Sequence, residues 1–401
     1  MLHRIAINGV ANGAKKQKTI DCTFSCGTFP STVSSMGRLA RVFILSAATL
    51  AAGCRSMGPA AISCDHANFN RAIAHTLDEQ LLLNVVRARY LEPILFLDVG
   101  TVTDSRSHSY RAGTDGTKVF VDPSDKIMEL IPAVGIAASQ TPTVVYTPMQ
   151  GRDFVRRIFS PLPLPLIISA IQSGWSASRV FGVFVERLNN LQNAPSASGP
   201  TPTRAPQCDE FYRMAQLLDV LLRSGGATID IDPDNRKCLV VQFYGNDENS
   251  QSIREIKELL DLPQRSDRFS FQENFLGSVD SDLRLRTRSI QSAMFYLGNG
   301  VEIPNEHVER GIVPITRYPN GELFDWSEIL SPLLTVHCSR ERPDSAFVAV
   351  SFRGYWFYIA DGDVASKSTF LLLANSFSLQ AGDAKSLMPT LSVSIGDRSG
   401  N

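Results

Sequence analysis

Charge of either sign is in short supply. The 401 residues carry 39 Lys and Arg against 40 Asp and Glu, a formal net charge of −1. That balance argues against broad nucleic-acid binding, which needs clustered positive charge. No apolar run approaches the roughly 20 residues that a bilayer-crossing helix requires, which argues against a permanent span. Histidine is scarce, with six in the chain, and no His-x-x-x-His or Glu-x-x-His pattern occurs. The seven cysteines match no zinc spacing. No G-x-S-x-G elbow, phosphate-binding loop or G-x-G-x-x-G run is present, so the commonest hydrolase, nucleotidase and dinucleotide signatures are missing. Neither a metal nor a cofactor is expected.

What the chain does have is an ordered stretch from Arg38 to Cys54. Arg38 and Arg41 lead into an uncharged run, Val42 to Gly53, that ends in small residues before Cys54. Basic, apolar, small, then cysteine is the layout of an export signal. Leu50-Ala51-Ala52-Gly53-Cys54 resembles the lipobox of bacterial lipoprotein precursors. The resemblance implies cleavage before Cys54 and lipidation of that residue. Ala51-Ala52-Gly53 also satisfies an ordinary secretory cleavage site, and a buried helix ending in Gly-Cys is a third reading. Residues 1–35 are polar and precede the basic segment. Met36 stands where a signal would start, so 1–35 are expected to be a mis-assigned extension and 36–53 the signal peptide. Cys22 and Cys26 have no second pair nearby and carry no signal of their own.

Cleavage at Cys54 would remove six basic residues and one acidic one, leaving 33 and 39, a net charge of −6. Membrane attachment would then rest on the acyl chains rather than on a polybasic patch. Arg55 is not the aspartate that commonly retains Gram-negative lipoproteins at the inner membrane. The expected address is therefore the outer membrane, facing the periplasm. Cys64, Cys208, Cys238 and Cys338 remain as potential disulfide partners, with three pairings open.

Residues 54–64 read as the anchor and tether. A helical block with short strands is expected over 65–192. Ile73, Leu77, Leu81 and Val85 recur every four residues on a helix running from Asp65 or Asn68 to about Tyr90. Extended pieces follow at Ile94–Val99, up to Gly113, at Lys118–Asp122 and at Thr143–Thr147. Three short helices then lie between Gln150 and Leu188. Residues 193–206 (NAPSASGPTPTRAP) are rich in Pro, Ser and Thr and read as a linker at a domain boundary, with an α+β domain over 207–401, or as a long surface loop within one domain. Helix, strand, strand, helix, strand over 207–271 predicts an α/β sandwich with helices on one face of a small sheet. Arg286–Leu297 reads as a helix. Phe347–Phe352 and Tyr355–Ile359 form a hairpin across Arg353-Gly354, and Ser366 caps a final helix. The fold class is α+β.

Glu79–Tyr90, Tyr146–Ile158 and Phe347–Phe370 resemble a set of uncharacterised proteobacterial lipoproteins across most of the mature chain. That likeness implies no activity and no site residue.

Asp361, Asp363 and Lys367 follow the aromatic strand that carries Tyr355, Trp356 and Tyr358, and this is the densest polar cluster beside large aromatics. The functional reading is a pocket; the plainer one is a turn with helix caps. Asp230, Asp232 and Asp234 alternate like calcium ligands, but Asn235 and Val241 occupy the places that need Gly and Glu. Glu302, Glu306, His307 and Glu309 complete no ligand pattern. His337 and Cys338, adjacent on a strand, face opposite sides. The expected role is a non-enzymatic assembly component that binds an envelope protein. A hydrolase and a small-ligand binder are the alternatives.

Overall fold

The computed structural model describes residues 59–113, 133–200, 202, 204–273 and 283–381. The signal segment, Cys54 and Lys118–Asp122 lie outside the described residues. The described residues from His75 onward belong to one compact unit. The fold is α+β. No described helix is long and apolar enough to cross a membrane.

Helix α1 spans Pro59–Arg89, and Leu81, Leu82, Val85 and Val86 are buried on it. Its end is a left-handed cap. Leu91 takes φ 58 while the N–H of Glu92 donates to the Arg87 carbonyl (2.9 Å). The short extended pieces expected next are longer than the sequence pattern indicated. Strand β1 runs Phe96–Gly113 and β2 Ala133–Met149, paired antiparallel as a two-stranded sheet of their own. Polar alternation over Thr101–Arg111 gives no apolar face to count, which is why the pattern broke off early.

Helices α2 (Arg152–Phe159), α3 (Leu164–Gln172) and α4 (Ala177–Phe184) follow, with Ser176 capping α4 through its hydroxyl. Strands β3 (Val185–Leu188) and β4 (Leu191–Gln192) then enter the main sheet. Helix α5 (Asp209–Ser224), β5 (Ala227–Ile231), β6 (Cys238–Phe243), α6 (Ser250–Leu259), β7 (Arg268–Glu273) and β8 (Leu283–Thr287) complete it. The sheet is mixed, in the order β4-β3-β8-β7-β6-β5, with β7 and β8 parallel. Leu239, Val241, Phe243 and Phe271 bury one face against Phe181 of α4, Met214 and Leu218 of α5 and Ile256 of α6. The helices thus cover one face, as the sequence pattern indicated.

Two expectations need correction. Residues 193–206 are not a domain boundary, because β3 and β8 pair across them. Asn193, Ala194 and Ala197 are fully buried. The Asn193 amide donates to the carbonyls of Gly182 and Val185, both at 2.8 Å. Thr316 Oγ1 donates to Pro202 O (2.6 Å). Asn193 thus ties the loop to α4 and β3, while Thr316 and Arg288 satisfy the loop carbonyls of Pro202 and Asn193, so a Pro/Ser-rich composition can sit inside the unit. The second correction is Arg286–Thr287, which end β8; helix α7 starts at Ile290 and runs to Gly298. A Cβ at Gly298 would lie 3.2 Å from Val85 O, so glycine lets α7 meet α1 closely.

Short helices α8 (Asn305–Glu309) and α9 (Ser327–Leu330) lead to a three-stranded sheet. Its strands are β9 (His337–Ser339), β10 (Ala346–Phe352) and β11 (Tyr355–Ala360), in the order β10-β11-β9. The hairpin forms where expected. Arg353 and Gly354 take φ 51 and 85, the two positive values of a type I′ turn. Helix α10 (Val364–Ala381) closes the described chain.

Candidate functional site

The six residues singled out from the sequence divide between different surroundings. Strand period places Tyr355, Phe357 and Ile359 on the buried face of β11, and Trp356 and Tyr358 on the other. Tyr355 stacks edge-on against His307 (5.3 Å) beneath the Arg340 guanidinium (5.1 Å). Trp356 lies under Arg342 (5.2 Å), and Tyr358 is 5.5 Å from the His337 ring. One pocket lined by all three aromatics therefore does not form.

Asp361, Asp363 and Lys367 do come together, at the start of α10. Lys367 Nζ donates to Asp361 Oδ1 (2.8 Å) and Asp361 O (2.9 Å). Asp363 Oδ1 accepts from Ser366 N (3.0 Å), so Asp363 caps the helix rather than Ser366. Burial pushes the Asp363 carboxyl up, but hydrogen bonds from Ser366 and Ala365 outweigh it and hold the group below the usual range. Ser366 is instead fully buried, and its hydroxyl accepts from Thr335 N (2.8 Å). Arg179 of α4 ties α10 in, donating to Ala365 O (2.8 Å) and to the Thr369 hydroxyl.

The other candidate groups are distributed as well. Glu302 binds the His337 ring (2.9 Å) and Cys338 N (3.0 Å) with separate oxygens. Burial, with the Glu302 charge, pushes the Cys338 thiol up to about 11, so it is not a thiolate at neutral pH. Cys208, Cys238 and Cys338 are free thiols. Asp232 Oδ1 accepts from Asp234 N (2.9 Å), closing the β5–β6 turn. Among the described residues, no group of three or more His, Cys, Asp or Glu is placed to hold a metal ion.

Sequence reasoning missed two buried polar centres. His307 is 2 % exposed, and its Nδ1 shares a 2.7 Å hydrogen bond with Tyr90 OH. Burial lowers the His307 pKa and raises that of Tyr90, so both are neutral near pH 7. Arg288, 1 % exposed, stacks on Tyr296 (3.9 Å) and donates to the carbonyls of Gly182 (3.2 Å), Val183 (3.1 Å) and Asn193. It meets the negative end of α4 with carbonyls in place of a carboxylate. The hydrogen bonds of both centres join residues more than 90 positions apart, and no local pattern reveals them.

Two surfaces remain as candidates for binding. A cleft of about 300 Å³ is lined by Ser176, Ser178 and Arg179 on one side and by Tyr212, Arg213 and Glu328 among others. The second is the β1–β2 ribbon. At its base two side chains of α1 act as a substitute strand. Gln80 donates to Leu97 O (3.1 Å) and accepts from Leu97 N (2.7 Å). Asn84 donates to Leu95 O (2.7 Å) and accepts from Leu95 N (3.1 Å). Past the bulge between Val99 and Val102, the described residues pair β1 and β2 with each other and with no third strand. Open strand edges are templates for another strand. No protein-family model, curated protein or solved structure matches this chain.

Proposed function

We propose that this chain is a lipid-anchored envelope protein that works by docking to another protein. Cys54 carries the lipid, the outer membrane holds it, and the body faces the periplasm. The support for docking is the ribbon. At about 3.4 Å per residue its 18-residue strand reaches roughly 60 Å. A two-stranded sheet is marginal alone in water, whereas a third strand would satisfy its outward N–H and C=O groups.

The test is crosslinking in cells followed by detergent purification of the full chain beside a Cys54→Ser variant. A stoichiometric partner that is lost with the anchor supports the reading. A monomer without partners in both samples overturns it. The cleft beside Arg179 favours a second reading, binding of a small polar ligand. Thermal shifts on a panel of amino acids and sugars would check it, and an Arg179→Met variant should abolish any shift.

A further inference from the structure

Resting on the lipid-anchored reading above, we propose that the outer face of α2 lies on an anionic phospholipid surface and orients the anchored body on its membrane. The argument begins with what α2 already buries. Ile158 is buried, and Phe154 meets Phe96 edge-on (6.2 Å), which in turn stacks on Phe377 of α10. That packing turns the other side of the helix outward, with Arg152, Val155, Arg156 and Phe159 all exposed. Phe159 is 60 % exposed and Val155 49 %. Side chains four apart stack along a helix, so Val155 and Phe159 form an apolar row. Arg152 and Arg156 form a cationic row beside it.

An apolar row edged by arginines is what an interfacial helix presents to a bilayer. The apolar side chains enter below the headgroups, while the guanidinium groups stay at phosphate depth. Charge points the same way. The helix carries three arginines against Asp153, in a chain whose net charge is −1. Among the described residues neither Arg152 nor Arg156 has a side-chain hydrogen bond or ion pair, whereas Arg213, Arg223, Arg340 and Arg353 are each matched by a carboxylate. Beside the cationic row a polar recess of about 280 Å³ opens between α2 and α10, lined by Asp153, Arg156, Arg157, Ser160 and Gln380. Gln380 Nε2 fixes its far wall by donating to Arg157 O (3.2 Å). Guanidinium groups and a hydroxyl around such a recess suit a headgroup phosphate. The lipid on Cys54 would hold this face within reach of the bilayer, where a contact too weak to bind alone acts at high effective concentration.

The test reconstitutes the lipidated full-length chain in phosphatidylcholine vesicles with and without phosphatidylglycerol. A fluorophore on Phe159→Cys is exposed to lipids that carry a nitroxide on the acyl chain, and compared with the same label on Asp234→Cys in the β5–β6 turn. The unsubstituted chain, labelled alike, supplies the background of its own cysteines. With phosphatidylglycerol present, quenching at Phe159→Cys should exceed that at Asp234→Cys by about threefold or more. Arg152→Glu together with Arg156→Glu in the Phe159→Cys background should lower it to the Asp234→Cys level, and added salt should weaken it. Equal quenching at the two positions, or quenching that survives the double exchange, overturns the proposal. Oxidation that joins unlabelled Phe159→Cys chains into a dimer assigns the face to a second copy and overturns it as well. Flotation with the vesicles reads the anchor separately. A chain that floats with an unquenched Phe159→Cys probe keeps the anchor and loses this proposal; a chain that does not float loses both.

Discussion

The six-stranded sheet and the two-stranded ribbon are built from the same hydrogen bonds, yet only the sheet is complete. In the sheet, Leu239, Val241, Phe243 and Phe271 face helices, and every second side chain lies in the core. Burial of that face stabilises each strand at about 25 cal/mol per Å² of apolar surface. The ribbon is a pair of strands anchored at its base by Phe96 (1 % exposed), stacked on Phe377 at 4.1 Å. What separates the two is where the second layer comes from. The sheet finds it within the chain; among the described residues the ribbon has no third strand.

That contrast can be broken most severely at the loop that crosses from β4 to α5. Arg288→Leu removes the donors to Gly182, Val183 and Asn193 carbonyls and should cost about 3–5 kcal/mol, read as a lower denaturant midpoint. Phe271→Ala on the sheet's buried face should cost about 3–5 kcal/mol through the cavity it leaves. Asn84→Ala reopens the sealed base of β1. It should cost about 1–3 kcal/mol and speed hydrogen exchange at Leu95.

A pH titration sharpens the same comparison. Burial lowers the folded pKa of His307, so the unfolded chain binds the extra proton first. The stabilisation from neutral His307 is complete above the unfolded value near 6.5 and declines as pH falls below it toward the folded pKa. His307→Gln should flatten that decline in denaturant melts at pH 7.5 and 5.5. The smallest effect belongs to the surface pair. Asp361→Asn should change stability by less than about 0.5 kcal/mol, since the aspartate is 61 % exposed.

The elements with apolar periodicity were legible in the sequence. The C-terminal hairpin, α4, and the strands of Ala227–Ile231 and Cys238–Phe243 lie where the pattern puts them. The ribbon was not, because Thr, Ser and Arg alternate along it and nothing marks a buried side. Nor was the role of Asn193, whose value lies in three carbonyls that folding brings to it. The Asp361–Lys367 cluster was visible as a cluster. The division of Tyr355 from Trp356 and Tyr358 follows from strand alternation, and that much could have been read from the sequence. Gln80 and Asn84 are four apart on α1 and match Leu95 and Leu97, which are two apart where the chain enters β1. That match of helical and strand spacing is a signal a sequence reader could look for.

Hydrogen exchange on the full-length chain, recorded at high and low protein concentration, tests the contrast most directly. Amides of β6 should exchange slowly and equally at both concentrations. Amides of β1 past the bulge, which pairs with β2 alone among the described strands, should exchange much faster than those of β6. Exchange in that part of β1 as slow as in β6 would contradict a ribbon that lacks a second layer.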